Sequence, residues 1–270
     1  MKLAFSTLGC PDWKFSEIYA TAKDLGLSGV EIRGIANEMS APKMRAFSEE
    51  KLPETLAKLK EKNLEIPMLT SGAVLGNPSQ AEENRIEAEA YIDLAKKMGV
   101  PYIRVMISPN TFPADTDDLD CARKLYGALC DYAKGSGVTP LIETNAALAH
   151  SNTMREFLED VGRENMGVLW DIHHPFRYFH ESPRVTFDNI GTFVKYVHVK
   201  DSVMNGDTVE YRMMGYGDVP IFDSMKVLHA HGYEGYVSLE WVKRWCPDLQ
   251  EPGIVFSHFA SYMNYLLHQL

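Results

Sequence analysis

The feature of this sequence that most constrains its fold is a regular alternation of short apolar runs with longer amphipathic segments. Eight runs rich in β-branched and apolar residues are typical of strands, at residues 3–7, 29–32, 65–70, 102–107, 139–143, 166–171, 196–200 and 236–240. Helix-type periodicity follows at residues 15–25, 50–62, 82–98, 119–136, 153–161, 222–231 and 253–268. Parallel strands need a helix-length connection, so this order predicts βαβ units and a parallel sheet.

Eight such units account for the whole chain as one α/β domain, a single (β/α)₈ TIM barrel over residues 1–270. An open doubly wound sheet is the main alternative. Its nucleotide-binding signatures, GxGxxG after the first strand and GxxxxGK[ST], do not occur in the sequence. No Pro/Ser-rich linker, charge block or low-complexity tract divides the chain. We therefore predict the barrel.

Net charge argues against two classes of partner. The chain carries 27 Lys and Arg residues against 37 Asp and Glu residues, for a formal net charge of −10. Attachment to nucleic acid or to an anionic membrane surface through bulk charge needs a basic excess. No apolar run approaches membrane-spanning length either. The sequence therefore predicts no nucleic-acid partner and no membrane partner.

The cysteines and the C-terminal segment lead to two further expectations. Four cysteines without a CxxC pair are too sparse for a disulfide scaffold, and the first residues lack the apolar stretch of a signal peptide. We therefore expect a reduced, cytoplasmic protein. Residues 256–267 are rich in Phe, Tyr, Met and Leu, which suits either packing on the barrel or a contact within a homo-oligomer.

Ionisable side chains stand at the ends of four successive predicted strands. These are Glu143, Asp171, His198 and Glu240. In a TIM barrel the catalytic groups project from the carboxyl ends of the strands, so these four could converge. Three carboxylates brought together would repel one another unless a cation were present. The pattern therefore predicts that these four residues bind a divalent metal ion.

The donor set indicates which ions fit. Three carboxylates and one imidazole form a mainly hard site, which suits Mn²⁺, Mg²⁺ or Co²⁺ and also admits Zn²⁺. No cysteine belongs to the set, which argues against a closed structural zinc site. Four protein ligands on an octahedral ion would leave two positions for substrate oxygens. We predict one divalent ion, Mn²⁺ by preference, and no organic cofactor.

The sequence resembles the xylose isomerase-like TIM-barrel superfamily, and within it the sugar isomerase/epimerase branch. That branch contains ketose 3-epimerases, inosose isomerases and dehydratases, and hydroxypyruvate isomerases. The resemblance covers essentially the whole chain, and its most specific segments are Ile142-Glu143, Trp170-Asp171-Ile172-His173-His174, Val197-His198-Val199-Lys200-Asp201 and Ser238-Leu239-Glu240. It implies that Glu143, Asp171, His198 and Glu240 bind the metal. It also implies substrate contacts from His174 and from Arg212, in the loop 202–217.

The resemblance implies proton movement beside a carbonyl group of a small sugar, ketose or cyclitol. A metal ion stabilises the enediolate formed when a carbon-bound proton leaves. Glu143 and Glu240 would then act as the acid/base pair. Return of the proton to the opposite face gives epimerisation, return to the neighbouring carbon gives isomerisation, and loss of a β-hydroxyl gives dehydration.

Further residues are candidates for substrate contact by their position in the predicted barrel. Lys200 has the strand parity of His198, and it could instead pair with Asp201 or Glu240. Asn145 and Glu31 follow apolar runs at strand ends. Trp13 lies in a loop expected at the barrel mouth, where an aromatic ring can face the C–H groups of a sugar.

Three alternatives to an isomerase or epimerase stay open at this point. A dehydratase of the inosose type would use the same metal site, and a non-catalytic sugar-binding barrel would keep only its shape. The superfamily also contains a DNA-repair endonuclease with three zinc ions. Its additional metals use histidines near the ends of the third and fourth strands, and residues 68–72 and 105–109 contain none here. The acidic net charge also disfavours the nuclease.

Overall fold

The computed structural model describes residues 1–114 and 116–270. The strands are β1 (Lys2–Ser6), β2 (Gly29–Glu31), β3 (Met68–Val74), β4 (Tyr102–Met106), β5 (Thr139–Glu143), β6 (Gly167–Asp171), β7 (Val194–Val199), β8 (Asp201–Asn205), β9 (Thr208–Arg212) and β10 (Tyr236–Leu239). The α-helices are α1 (Phe15–Asp24), α2 (Leu52–Glu61), α3 (Ala81–Met98), α4 (Leu119–Ala133), α5 (Ser151–Val161), α6 (His173–Phe179), α7 (Pro183–Ile190), α8 (Ile221–Ala230) and α9 (Pro252–Leu267).

Eight strands form one sheet in the order β2-β1-β10-β7-β6-β5-β4-β3, and each of them is followed along the chain by at least one α-helix. The pairs β1–β2, β1–β10, β3–β4, β4–β5 and β5–β6 are parallel. A parallel sheet with a helix after every strand is the (β/α)₈ arrangement. The predicted α/β TIM-barrel fold is therefore confirmed.

One prediction about the region after β7 was wrong. The segment 202–217, expected as a loop, contains most of an antiparallel hairpin in which β8 pairs with β9. Its two-residue turn is Gly206-Asp207, and Gly206 has a φ of 59°, which favours glycine at the first turn position. Apolar and polar residues do not alternate strictly on either side of this turn, so the sequence pattern alone favoured a loop.

The chain divides into two compact units. One consists of Met1–Ile66 with Val197–Leu270, and the other of Pro67–Tyr196. The single domain over residues 1–270 stays a prediction. Within the described ranges 1–114 and 116–270, no helix combines the length and apolar character needed to cross a membrane.

The core of the first unit lies around β1 and the C-terminal helix. Phe5 of β1 stacks on Phe256 of α9, with ring centroids 4.0 Å apart, and both side chains are fully buried. Gly9 allows this helix to approach, because a Cβ there would lie 3.0 Å from the ring of Phe256 and 2.9 Å from Trp241 Cβ, just after β10. Burial of a Phe-sized side chain contributes about 1.5–3 kcal/mol. These contacts hold the strand ends of β1 and β10 in place.

The core of the second unit is tied together by Tyr126 of α4. Its hydroxyl lies 2.9 Å from the carbonyl oxygens of both Pro140 and Gly167, and it accepts a hydrogen bond from Gly167 N at 3.0 Å. A buried tyrosine hydroxyl needs such polar partners. One side chain of the helix therefore joins the beginnings of β5 and β6, whose other ends carry Glu143 and Asp171.

Candidate active site

Glu143 ends β5 and is held by a buried arginine. Arg104 of β4 donates from Nη1 to Glu143 Oε2 at 2.6 Å and from Nη2 to the carbonyl oxygen of Ser71 at 2.7 Å. The Ser71 hydroxyl in turn donates to the backbone oxygen of Arg104 at 2.6 Å. All three residues are buried, so the guanidinium, and not water, offsets the negative charge of the Glu143 carboxylate. The sequence pattern did not identify Arg104, because it lies inside an apolar strand.

Asp171 ends β6, two residues before the short helix α6 begins at His173. The Thr144 hydroxyl accepts from Asp171 N at 2.9 Å and donates to Asp171 O at 3.2 Å. Asp171 Oδ1 accepts from His173 N at 2.9 Å, which satisfies one amide of the first helical turn. The carboxylate is fully buried. These bonds fix its orientation.

His174 lies between Glu143 and Asp171, the two candidate-site carboxylates of this unit. Its Nδ1 is 2.9 Å from the carbonyl oxygen of Thr144, and since a carbonyl only accepts, Nδ1 carries the ring proton. Nδ1 is 3.9 Å from Glu143 Oε1, and Nε2 is 3.7 Å from Asp171 Oδ2. Asp171, His173 and His174 have potential ligand atoms within 4.8 Å of one another. This unit therefore presents a group that could hold a metal ion.

In the other unit, His198 of β7 lies between two glutamates. Its Nε2 is 2.8 Å from Glu31 Oε2, and its Nδ1 is 3.5 Å from Glu240 Oε1. A carboxylate accepts, so Nε2 carries a proton, and in the neutral ring the lone pair then lies on Nδ1. Metal-binding histidines commonly donate their other ring N–H to a carboxylate in this way. Glu31, a candidate for substrate contact, contacts His198, and its contact with substrate stays a prediction.

Lys200 pairs with Glu240, one of the two partners that the sequence left open. Its Nζ donates to Glu240 Oε2 at 2.5 Å, and the lysine is 1% exposed. Asp201 takes no part in this pair; its carboxylate accepts backbone N–H groups. The Lys200 ammonium therefore holds one oxygen of Glu240, while the other oxygen faces His198.

The remaining three candidates for substrate contact have other partners. Asn145 is buried, and its side chain bonds to backbone groups of Ile107, Ser108 and Asn110. Arg212, at the end of β9, pairs with Glu210 and donates to Tyr211 O. Trp13 is half-buried, with its ring edge-to-face against Phe256 at 5.7 Å. Asn145 and Trp13 thus have clear structural roles, and the predicted contacts of all three with substrate stay predictions.

The α/β fold and the two sets of buried carboxylates and imidazoles define a class of protein, a TIM barrel with a candidate metal-dependent active site. The family model described as xylose isomerase-like TIM barrel matches residues 19–256. The chain therefore belongs to the xylose isomerase-like TIM-barrel family. This confirms the resemblance given by the strand-end motifs.

Individual relatives agree with this family. Fructoselysine 3-epimerase of Shigella flexneri is 24% identical over 259 residues, covering 90% of this chain and 90% of the relative. The structure of the probable 3-DHS dehydratase AsbF of Bacillus anthracis superposes with a TM-score of 0.77 at 16% identity, covering 98% of this chain and 99% of that one. A xylose isomerase-like TIM barrel protein of Mycobacterium smegmatis in complex with magnesium superposes with a TM-score of 0.75 at 16% identity, covering 98% and 96%. The chain is an enzyme of the sugar isomerase and epimerase class.

Proposed function

We propose that this enzyme is a divalent-metal-dependent epimerase or isomerase of a small sugar, and that Glu143, Asp171, His198 and Glu240 bind one ion. The observation that carries the proposal is the setting of His198. Its proton-bearing Nε2 contacts Glu31, so in the neutral ring the lone pair of Nδ1 faces a carboxylate oxygen 3.5 Å away. Two electron-rich atoms at this distance suit a shared cation, since neighbouring ligands of an ion with bonds of about 2.1 Å lie about 3 Å apart.

Two further observations support the four-residue site. The residues stand at the carboxyl ends of β5, β6, β7 and β10, which are consecutive in the order of the sheet. All four side chains are buried. Three buried carboxylates without enough positive charge would be costly, and a divalent ion supplies that charge. The mainly oxygen donor set leads us to propose Mn²⁺ over Mg²⁺, Co²⁺ or Zn²⁺.

The protein residues divide the proton transfer between them. Glu143 removes a carbon-bound proton from the substrate and Glu240 returns one, or the reverse. Arg104 and Lys200 each hold one oxygen of these glutamates, so the other oxygen has a fixed direction. His174, protonated on Nδ1, presents Nε2 as an acceptor for a substrate hydroxyl. The metal, when bound, would stabilise the negative charge that develops on the substrate oxygens.

The substrate is proposed to be a ketose whose hydroxyl-bearing carbon lies beside the carbonyl. This follows the name of the fructoselysine 3-epimerase relative, whose reaction changes the configuration at such a carbon. Dehydration is the second candidate, because the AsbF structure shares the fold. The cytoplasmic location and the homo-oligomer stay expectations.

Proton exchange with solvent tests the proposed function. The purified enzyme is incubated with a panel of ketoses in D₂O with Mn²⁺ or Mg²⁺, and loss of the carbon-bound proton is followed by NMR. We expect exchange that stops with EDTA and in a Glu143→Gln/Glu240→Gln double variant, while the exposed control Glu164→Gln exchanges normally. Exchange that survives in the double variant contradicts the proposal. A new ultraviolet-absorbing product would favour dehydration instead.

A further inference from the structure

A second cluster of hydrogen bonds in the first unit is built around Asp201, which lies two residues after the end of β7. Asp201 begins the hairpin, and in the register of β8 and β9 it is opposite Arg212. The segment 213–219 that follows the hairpin folds back onto the Asp201 side chain, which is almost fully buried. Asp201 is therefore the point where the segment 213–219, here called the return loop, meets the chain two residues after β7, the strand that carries His198.

The Asp201 carboxylate is satisfied by backbone amides. Oδ2 accepts from Gly215 N at 2.8 Å and Gly217 N at 3.0 Å, and Oδ1 accepts from Ser202 N at 2.9 Å and Val219 N at 3.3 Å. Burial raises the pKa of Asp201, and the four N–H groups act in the opposite direction. Across residues 1–114 and 116–270, no basic side chain forms an ion pair with it. The return loop thus forms an anion-binding nest that the protein's own carboxylate occupies.

Two glycines let the return loop come this close. A Cβ at Gly217 would lie 2.0 Å from Asp201 Oδ1, and a Cβ at Gly215 would lie 2.5 Å from the ring of Tyr262 in α9. Gly215 also has a φ of 84°, which an L side chain rarely adopts. His258 of α9 contributes from the other side, since its Nε2 lies 2.7 Å from Met214 O. The loop is therefore held between Asp201 and α9.

We infer that Asp201 is a positioning residue of the proposed reaction, which fixes the return loop beside the β7 end so that the loop forms part of the sugar-binding surface. The inference rests on the proposed function. It assigns no step of the proton transfer to Asp201, which contacts neither His198 nor Glu240 in the described structure. Because the Gly215 and Gly217 amides are bonded to Asp201, they serve to shape the loop and do not bind a substrate anion.

Asp201→Asn is the sharpest substitution. The asparagine has nearly the same shape, but its NH₂ group must face one of the two N–H pairs that the carboxylate now accepts. We expect faster amide hydrogen exchange in residues 213–219, and a KM for the sugar raised about tenfold. The affinity for Mn²⁺, measured by calorimetry, should stay within about twofold, since no bond to His198 or Glu240 changes. Asp207→Asn, at the exposed hairpin turn, is the matched control and should change neither quantity.

Gly217→Ala tests the same contact from the loop side and keeps the inference testable if Asp201→Asn does not fold. It leaves the carboxylate intact but pushes the loop away, so it should raise KM without weakening Mn²⁺ binding. The inference would be overturned if a folded Asp201→Asn or Gly217→Ala enzyme had the same KM and the same amide hydrogen exchange in residues 213–219 as the wild type. A loss of Mn²⁺ affinity as large as the rise in KM would also overturn it, because such a loss would indicate general damage to the active site. If the wild-type enzyme does not exchange the carbon-bound proton of any sugar, the proposed function is contradicted instead. Amide hydrogen exchange in residues 213–219 would then still test the role of Asp201.

Discussion

At the scale of single residues, three residues of the candidate active site are each held by a buried partner. Glu31 fixes the ring of His198, Arg104 holds Glu143, and Lys200 holds Glu240. Sequence patterns identify the strand-end residues because an ionisable group after an apolar run stands out. They do not identify Arg104, because a charged residue in mid-strand reveals its partner only when the neighbouring strand is placed.

Glu31→Gln should weaken metal binding without unfolding the protein. The carboxamide can offer its NH₂ group to His198 Nε2, which favours the ring tautomer with its proton on Nδ1. Loss of such a supporting group typically costs 10–100-fold in metal affinity, and we expect about that loss for Mn²⁺. Calorimetry gives the affinity, and ¹⁵N NMR of the histidine ring gives the tautomer. Glu234→Gln, an exposed control, should bind Mn²⁺ normally; an unchanged tautomer in Glu31→Gln would contradict this account.

Arg104→Ala should destabilise the fold strongly. It leaves the buried Glu143 carboxylate without its guanidinium partner, and removal of one partner from a buried pair typically costs about 3–5 kcal/mol. Urea denaturation measures the free energy of unfolding. The matched control is Arg184→Ala, whose ion pair with Asp188 is exposed and should contribute about 0–1 kcal/mol. Similar losses in the two variants would show that the Arg104 pair is not buried in solution.

At the scale of elements, stability depends on a few side chains that join a helix or a strand end to its neighbours. The sequence predicted the eight sheet strands to within a few residues, because apolar runs and helix periodicity mark them. It did not predict α6 or α7, since helices of seven and eight residues show little periodicity. The hairpin had a readable signal in its turn dipeptide Gly206-Asp207, but its strands lack strict alternation.

Tyr126→Phe tests the link between α4 and the strands β5 and β6. The variant removes the hydroxyl that accepts from Gly167 N and so leaves a buried amide without that partner. We expect a loss of about 1–3 kcal/mol in the free energy of unfolding. Tyr265→Phe, at an exposed position of α9, should change stability little. Equal stabilities for the two variants would contradict the role given to Tyr126.

The contact of Glu65 with β1 and β10 predicts a pH-dependent stability. Glu65 accepts from the Tyr236 hydroxyl at 2.6 Å and pairs with Lys2 at 3.0 Å, and both contacts lower the pKa of its carboxyl. A folded-state pKa below the unfolded value means that the stabilisation is present above the unfolded pKa and is lost as pH falls through the folded pKa. The stability difference between wild type and Glu65→Gln should therefore be present at pH 7 and shrink below about pH 4.5. A difference that grows at acid pH would contradict this sign.

At the scale of the whole molecule, the sequence and the comparisons agree on one family and one class of enzyme. The family model covers residues 19–256, and the strand-end motifs lie inside that range. The excess of acidic residues thereby acquires a local meaning, because three of its carboxylates belong to the proposed metal site, Glu31 contacts His198, and Asp201 holds the return loop. Choice of sugar depends on loop side chains whose positions sequence patterns do not predict.

The most direct test of the central claim is the Mn²⁺ stoichiometry and affinity of the wild-type enzyme and of four single variants, Glu143→Gln, Asp171→Asn, His198→Ala and Glu240→Gln. We expect one Mn²⁺ per wild-type chain and an affinity at least about tenfold weaker in every variant, because each removes a ligand or its charge. Circular dichroism confirms that each variant is folded. Wild-type affinity in a folded His198→Ala or Asp171→Asn enzyme would contradict the four-residue site.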